Sequence, residues 1–181
     1  ACKFLRAPVT GSTVLAENAT LGILASGDKE TYDKVLPLFE KMGKNQFYLG
    51  GGEEARTLKL SLNMMIGVSM QMMAEAVVLS EKAGLDTKQV CEVIAGSAVG
   101  SPLVNYKKDV IVEGKYPAAF SVNMMKKDFD LAFDAGKQYG AAMPITALTR
   151  QFLEMCTATG RGEKDFSVLV DLLEEMCDFE R

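Results

Sequence analysis

The sequence has 181 residues, 48% of them hydrophobic and 24% charged, with a net charge of −4; this is the balance of a globular chain able to bury a core, not of a disordered one. The acidic balance and the lack of any lysine/arginine block argue against nucleic acid or an anionic membrane surface as a partner. The chain has no histidine, so the usual zinc ligand sets and every Ser-His or Cys-His pairing are unavailable, and chemistry must come from Lys, Tyr, Asp, Glu or a cofactor.

The first fifty residues have α/β character. Phe4–Val9 is a short apolar run ended by Thr10-Gly11-Ser12, which predicts a strand and a turn. Leu21–Ala25 predicts a second strand, closed by Ser26-Gly27-Asp28. From Lys29 to Met42, Tyr32, Val35, Leu36 and Phe39 recur at helical spacing behind Asp28 as N-cap, and Gly43 stops the helix. Gln46–Leu49 predicts a third strand before Gly50-Gly51-Gly52. Strand, helix, strand at this spacing is the edge of a doubly wound sheet, here without its earlier strands. The opening residues hold no long apolar stretch of the signal-peptide kind, and with no initiator Met the sequence is expected to enter a fold midway, as a truncated chain.

Beyond Glu53 the texture changes. Glu53–Ala83 contains no Pro and one Gly, Gly67, and ends at Gly84, predicting one helix of roughly thirty residues, about 45 Å long. Its apolar stretch Leu58–Leu79 contains Lys59, Asn63, Gln71 and Glu75, so a deeply buried central helix is expected and a membrane span is not. Its five methionines, Met64, Met65, Met70, Met72 and Met73, are expected as core filling. Further helices are predicted behind Asp86, from Pro102 to about Val112, from Asn123 to Tyr139, from Pro144 to about Thr157, and from Asp165 to about Cys177. The fold class is therefore mostly α: a partial edge of a Rossmann-like α/β sheet, then an all-helical domain around one long helix. Cys2, Cys91, Cys156 and Cys177 form no CxxC pair and are expected as reduced, mostly buried thiols of a cytosolic-type protein.

Three features could carry chemistry. Lys59 and Asn63 are four apart, one turn along a single helical face, just after a glycine-rich turn. A lysine in apolar surroundings loses its proton more readily, which suits a general acid, and an asparagine beside it can hold a hydroxyl or carboxylate; a snorkelling surface pair is the plainer reading. Ala7-Pro8-Val9-Thr10-Gly11-Ser12 is a strand-end turn rich in N–H and hydroxyl donors, suited to a small anion but also to being only a turn. Lys126-Lys127-Asp128, early in a helix, reads by itself as a solvated charge cluster.

Together and in this order these segments resemble the β-hydroxyacid dehydrogenases, the family of 3-hydroxyisobutyrate dehydrogenase, tartronate semialdehyde reductase and the glyoxylate/succinic semialdehyde reductases. Ala7–Ser12 with Ala16, then Leu21–Asp28, resembles the family's substrate-binding strand and turn. Lys59-Leu60-Ser61-Leu62-Asn63 resembles its catalytic helix segment, Lys127-Asp128 with Leu131-Ala132 its Lys-Asp motif, and Lys164-Asp165-Phe166-Ser167 its ending. The resemblance implies Lys59 as the general acid, Thr10, Gly11 and Ser12 around a substrate carboxylate, Asn63 holding the substrate, and Lys127 with Phe120 near the nicotinamide end of NAD or NADP. It implies residues 1–52 as the remnant of a dinucleotide-binding domain and residues 53–181 as a helical domain for substrate and dimerisation. It also implies a small carboxylate substrate, a homodimer or higher oligomer, no nucleic acid or membrane partner, and a location in the cytoplasm or an organelle matrix.

Two departures stand against the pattern. Gly50-Gly51-Gly52 runs into Glu53-Glu54-Ala55-Arg56, placing two carboxylates near a site for an acid. No GxGxxG fingerprint follows a strand, so the principal dinucleotide site is outside this sequence and the chain alone is expected to be inactive. A non-catalytic oligomerisation or binding module is the alternative. Retention of Lys59, Asn63 and Lys127 favours catalysis, and Lys59 counts against the imine-reducing relatives, which generally lack it.

Overall fold

The computed structural model describes residues 2–181, which divide into two compact units, one up to residue 62 and the other residues 63–181. In the first, β1 (Leu5–Arg6) and β2 (Val9–Thr10) both pair antiparallel with β3 (Leu21–Gly27). The partners are Leu5 with Gly27, Arg6 with Ser26, Val9 with Ile23 and Thr10 with Gly22. That is one unbroken register, so β1 and β2 are halves of a single strand interrupted at Ala7–Pro8. Pro8 cannot donate to a ladder, although its carbonyl still accepts from Leu24 N–H at 2.9 Å.

A short helix, α1 (Thr13–Glu17), follows β2, capped by the Ser12 side chain; the sequence was expected to form only a turn there. Asp28 caps α2 (Lys29–Met42) through Thr31 N–H, as expected. The last strand, β4 (Gly43–Tyr48), begins at the glycine expected to end the helix and runs parallel to β3. β3 is buried along its whole length, and Ile23, Ala25, Tyr32 and Phe39 form the core of this unit. Ser26, fully buried, donates to the Gly52 carbonyl at 2.8 Å and accepts from Ala55 N–H at 3.3 Å, tying the end of β3 to the first turn of α3 (Glu54–Lys82).

In the second unit the rest of α3 packs with α4 (Thr87–Gly96), α5 (Pro102–Glu113), α6 (Val122–Tyr139), α7 (Pro144–Ala158) and α8 (Leu169–Met176). The predicted caps are in place: Asp86 before α4, Pro102 in the first turn of α5, and left-handed Gly114 and Gly140 closing α5 and α6. Asp165 caps a short 3₁₀ turn, Phe166–Val168, rather than α8 itself.

The central helix corrects the expectation of deep burial. Met70, Met73, Ala74 and Val77 are core, but Met65, Met72 and Leu79 are 60%, 61% and 73% exposed. With Leu58 they recur every seven residues and so form one stripe along the helix. An apolar surface runs round α3, and its neighbours cover only part of it. By length and composition the helix could cross a membrane, with 44% of its most apolar window buried within the protein. The thiols divide likewise: Cys91 and Cys156 are buried, Cys2 and Cys177 exposed.

α3 meets α6 at Gly67. A Cβ there would lie 2.6 Å from the Phe129 ring, and Phe129 is fully buried. Gly67→Ala should therefore cost about 1–3 kcal/mol in urea unfolding through overpacking, and much less in a Phe129→Leu background. An equal cost in both backgrounds would show that the ring is not what the methyl meets.

Candidate functional site

The close approach at Gly67 brings together polar groups one turn away. Asn63 and Asp128 are both only 8% exposed, and Asn63 Nδ2 donates to Asp128 Oδ2 at 2.5 Å. The other carboxylate oxygen, Oδ1, lies 3.0 Å from Lys127 Nζ, whose side chain is 63% exposed. Asn63, Asp128 and Lys127 thus form a chain of charge and amide running outward from the α3–α6 contact. Neither plain reading from the sequence holds: Asn63 is not a surface residue, and Lys126-Lys127-Asp128 is not simply a solvated cluster. Lys126 turns away to Glu154, at 3.4 Å, while Asp128 lies on the buried face of α6 with Met125, Phe129 and Ala132. Helical spacing was the signal that could have found Asp128 as a site residue, since it follows Met125 by three and precedes Ala132 by four.

A second buried carboxylate sets the entry to α6. Asp165 is 1% exposed and receives Lys107 Nζ on both oxygens at 2.7 Å, Ser167 Oγ at 2.7 Å, and the N–H groups of Ser167, Ala119 and Phe120. Burial alone would raise this carboxyl, but the hydrogen bonds from Lys107 and Ser167 prevail and hold it below the usual carboxylate range. The Lys107 ammonium also lies over the rings of Phe166 and Tyr106, 4.8 and 5.4 Å from their centroids, an arrangement that favours a desolvated cation. Phe120, half-buried, meets Phe166 edge-on with centroids 6.4 Å apart, and Ser121 next to it caps α6 through Met124 N–H. The Lys107–Asp165 pair therefore fixes the turn that carries Phe120 and starts the helix that carries Lys127. Lys107 was not singled out in the sequence, although it lies on the α5 face shared by the buried Val104 and Ile111.

In the first unit, Lys59 is half-buried on α3, four residues before Asn63 in one continuous helix. Thr10 ends β2, Gly11 follows with φ +138°, and Ser12 accepts from Leu15 N–H at 3.4 Å. A Cβ on Gly11 would meet the Leu21 side chain at 2.8 Å, so both the backbone angle and the space favour glycine here. The two troublesome carboxylates are both engaged. Glu53 bridges Arg56, at 2.5 Å, and Arg6, and these two cations hold it below the ordinary glutamate range. Glu54 turns back to accept from Gly52 N–H at 2.7 Å, in the space beside Gly50 and Gly52. An open concavity of 590 Å³ near the α6–α7 turn, lined by residues including Phe133, Lys137 and Met143, includes none of these site residues.

Comparison with known proteins fits both segments. Residues 54–173 match the family model described as the NAD-binding domain of NADP-dependent 3-hydroxyisobutyrate dehydrogenase, and residues 1–51 match the NAD-binding domain of 6-phosphogluconate dehydrogenase. The chain is 34% identical over 171 residues to the chloroplastic glyoxylate/succinic semialdehyde reductase 2 of Arabidopsis thaliana, covering 94% of itself and 48% of that protein. It is 29% identical over 175 residues to the 2-hydroxy-3-oxopropionate reductase of Escherichia coli, covering 97% of itself and 60% of the relative. Among solved structures it superposes on the Mycobacterium tuberculosis 3-hydroxyisobutyrate dehydrogenase with L-serine, with TM-score 0.82 and 29% identity, covering 93% and 60% of the two chains. The chain thus spans about half to three fifths of the length of the relatives it matches.

Replacing Lys107 with Met should cost about 3–5 kcal/mol at pH 7, because it leaves the Asp165 carboxylate buried without its cation. Replacing both residues with apolar ones of similar volume should recover much of that loss. Chemical unfolding of the single and double variants measures both, and additive losses would contradict a coupled pair.

Proposed function

The chain belongs to the β-hydroxyacid dehydrogenase family, and from that premise we propose that it is the C-terminal part of an oxidoreductase interconverting a small β-hydroxyacid with its aldehyde or keto acid. Its cofactor is NAD or NADP, the class of both family models it matches. In the proposed division, residues 1–52 end a dinucleotide-binding domain and residues 53–181 form the helical domain. The observation that carries the reading is the buried Asn63, whose amide nitrogen is committed to Asp128 one turn beyond Lys59 on the same helix. A fixed amide of this kind offers its carbonyl oxygen to a substrate hydroxyl with no rotamer to freeze.

Each residue then has a defined task. Lys59 Nζ delivers a proton to the carbonyl oxygen in the reductive direction and recovers it in the oxidative one. Thr10, Gly11 and Ser12 hold the substrate carboxylate with backbone N–H and hydroxyl donors. Lys127, with a largely exposed ammonium, and half-buried Phe120 fit the nicotinamide end of the cofactor, the first as a donor and the second as an apolar wall. NAD(P)H, when bound, supplies the hydride. Asp128 acts through Asn63 and Lys127 as a positioning residue. The reaction is proposed to run in the cytoplasm or an organelle matrix.

In the complete enzyme, Lys59→Ala should lower turnover by about 100-fold or more, the scale expected for a general acid, with a smaller effect on substrate KM. A change of only a few-fold would make Lys59 structural. We further propose a homodimer or higher oligomer, since the stripe Leu58, Met65, Met72 and Leu79 leaves apolar surface exposed along α3. Sedimentation at micromolar concentration should show a dimer or larger species, and a clean monomer would sink that proposal.

A further inference from the structure

A third cluster of buried charge lies away from all the residues given a role above. Glu81, near the end of α3, has a side chain only 1% exposed, and Glu174 on α8 has one 11% exposed. One cation serves both: Arg181 Nε lies 2.6 Å from Glu174 Oε1 and 3.2 Å from Glu81 Oε1, and its Nη1 donates to the Ile111 carbonyl. Thr87 Oγ1 also donates to Glu81 Oε1, at 2.6 Å. The other oxygen, Glu81 Oε2, is buried with no donor, as is the hydroxyl of Tyr116 nearby. Two carboxylates against one guanidinium leave a net buried negative charge and an unmet acceptor, both of which are costly.

We propose that Glu81 and Glu174 share one proton, as a carboxylic acid–carboxylate hydrogen bond completed by Arg181, so that the packing of α8 and residues 177–181 on the end of α3 responds to pH. The proton comes from solvent. It neutralises the surplus charge and supplies the donor that Glu81 Oε2 lacks. The Glu174 carboxyl is raised to about 7, first by burial and then by its hydrogen bond with Glu81, with Arg181 opposing; the proton belongs to the pair rather than to either residue. Burial pushes the Cys91 thiol on α4 up to about 11 and raises the Tyr116 phenol, while Asp171 on α8 adds negative charge near Tyr116. Asp86, ahead of α4, and Asp109, on α5, place further negative charge near Cys91. The segment held by the cluster is also tied by Lys82 Nζ to the Cys177 carbonyl at 3.0 Å and by Phe179 N–H to the Glu174 carbonyl at 3.0 Å.

The sign follows from the raised value. The folded state holds the proton more tightly than the unfolded chain, so the stabilisation is complete below about pH 4.5 and lost as pH rises through about 7. With no histidine in the chain, no imidazole titration masks this one.

The test is carboxyl-carbon NMR of the glutamate-labelled 181-residue chain from pH 4 to 9, with urea midpoints at each pH. One glutamate carboxyl should titrate near 7 in the wild type. That step should vanish in Glu174→Gln, fall toward the ordinary glutamate range in Glu81→Gln, and move upward in Arg181→Gln. The urea midpoint of the wild type should decline between pH 4.5 and 7, relative to a level course for Glu174→Gln. Every glutamate titrating below about 5.5 in the wild type overturns the proposal, and that spectrum decides the matter even if a variant fails to fold.

Discussion

The helical unit depends on the absence of a side chain at Gly67. Because nothing projects there, the Phe129 ring settles against the backbone of α3, and the two helices approach closely enough for Asn63 to reach Asp128. A methyl would cost packing energy and would also separate an amide and a carboxylate that are both nearly buried. Apolar packing and polar satisfaction thus reinforce each other at one contact. This is how a core comes to fix an amide in one orientation rather than merely enclosing it.

Buried charge in this unit follows one rule: each carboxylate taken from water is met by a cation or a set of donors. Asp165 has Lys107, Ser167 and two further backbone N–H groups from the turn before α6, while Asp128 has Asn63 and Lys127. Glu81 and Glu174 share a single guanidinium, so there two buried carboxylates face one cation. Asp165 gathers five donors in all, two of them the Ala119 and Phe120 N–H groups of the turn that leads into α6. Its structural work and its placement of Phe120 are therefore inseparable.

Much of this was legible in the sequence, and what was not has physical reasons. Asp28, Asp86, Pro102, Gly114 and Gly140 marked helix ends because capping chemistry is local. Strand halves separated by Ala7–Pro8 read as one run because the sheet register continues across the break. The burial of α3 was overestimated, since an apolar composition does not reveal how many neighbours will pack on each side. Lys59, Asn63 and Lys127 stood out through their order along the chain. Asp128 and Asp165 stood out only within their local motifs; their pairings with Asn63 and Lys107, and the whole Glu81–Glu174–Arg181 cluster, did not, because those pairings join residues far apart in sequence. The engagement of Glu53 by Arg6 and Arg56 is another such pairing, and it removes the objection those acidic residues raised.

The central claim, that this chain completes a site for hydride transfer to a small oxo acid, is tested most directly by isotope transfer. The complete enzyme would be given NADH or NADPH carrying deuterium at both C4 positions of the nicotinamide, together with glyoxylate, succinic semialdehyde or 2-hydroxy-3-oxopropionate, and the products analysed by mass spectrometry. The account predicts one deuterium on the carbinol carbon of at least one hydroxyacid product. Unlabelled product, or no product from any of the three with either cofactor, would contradict it.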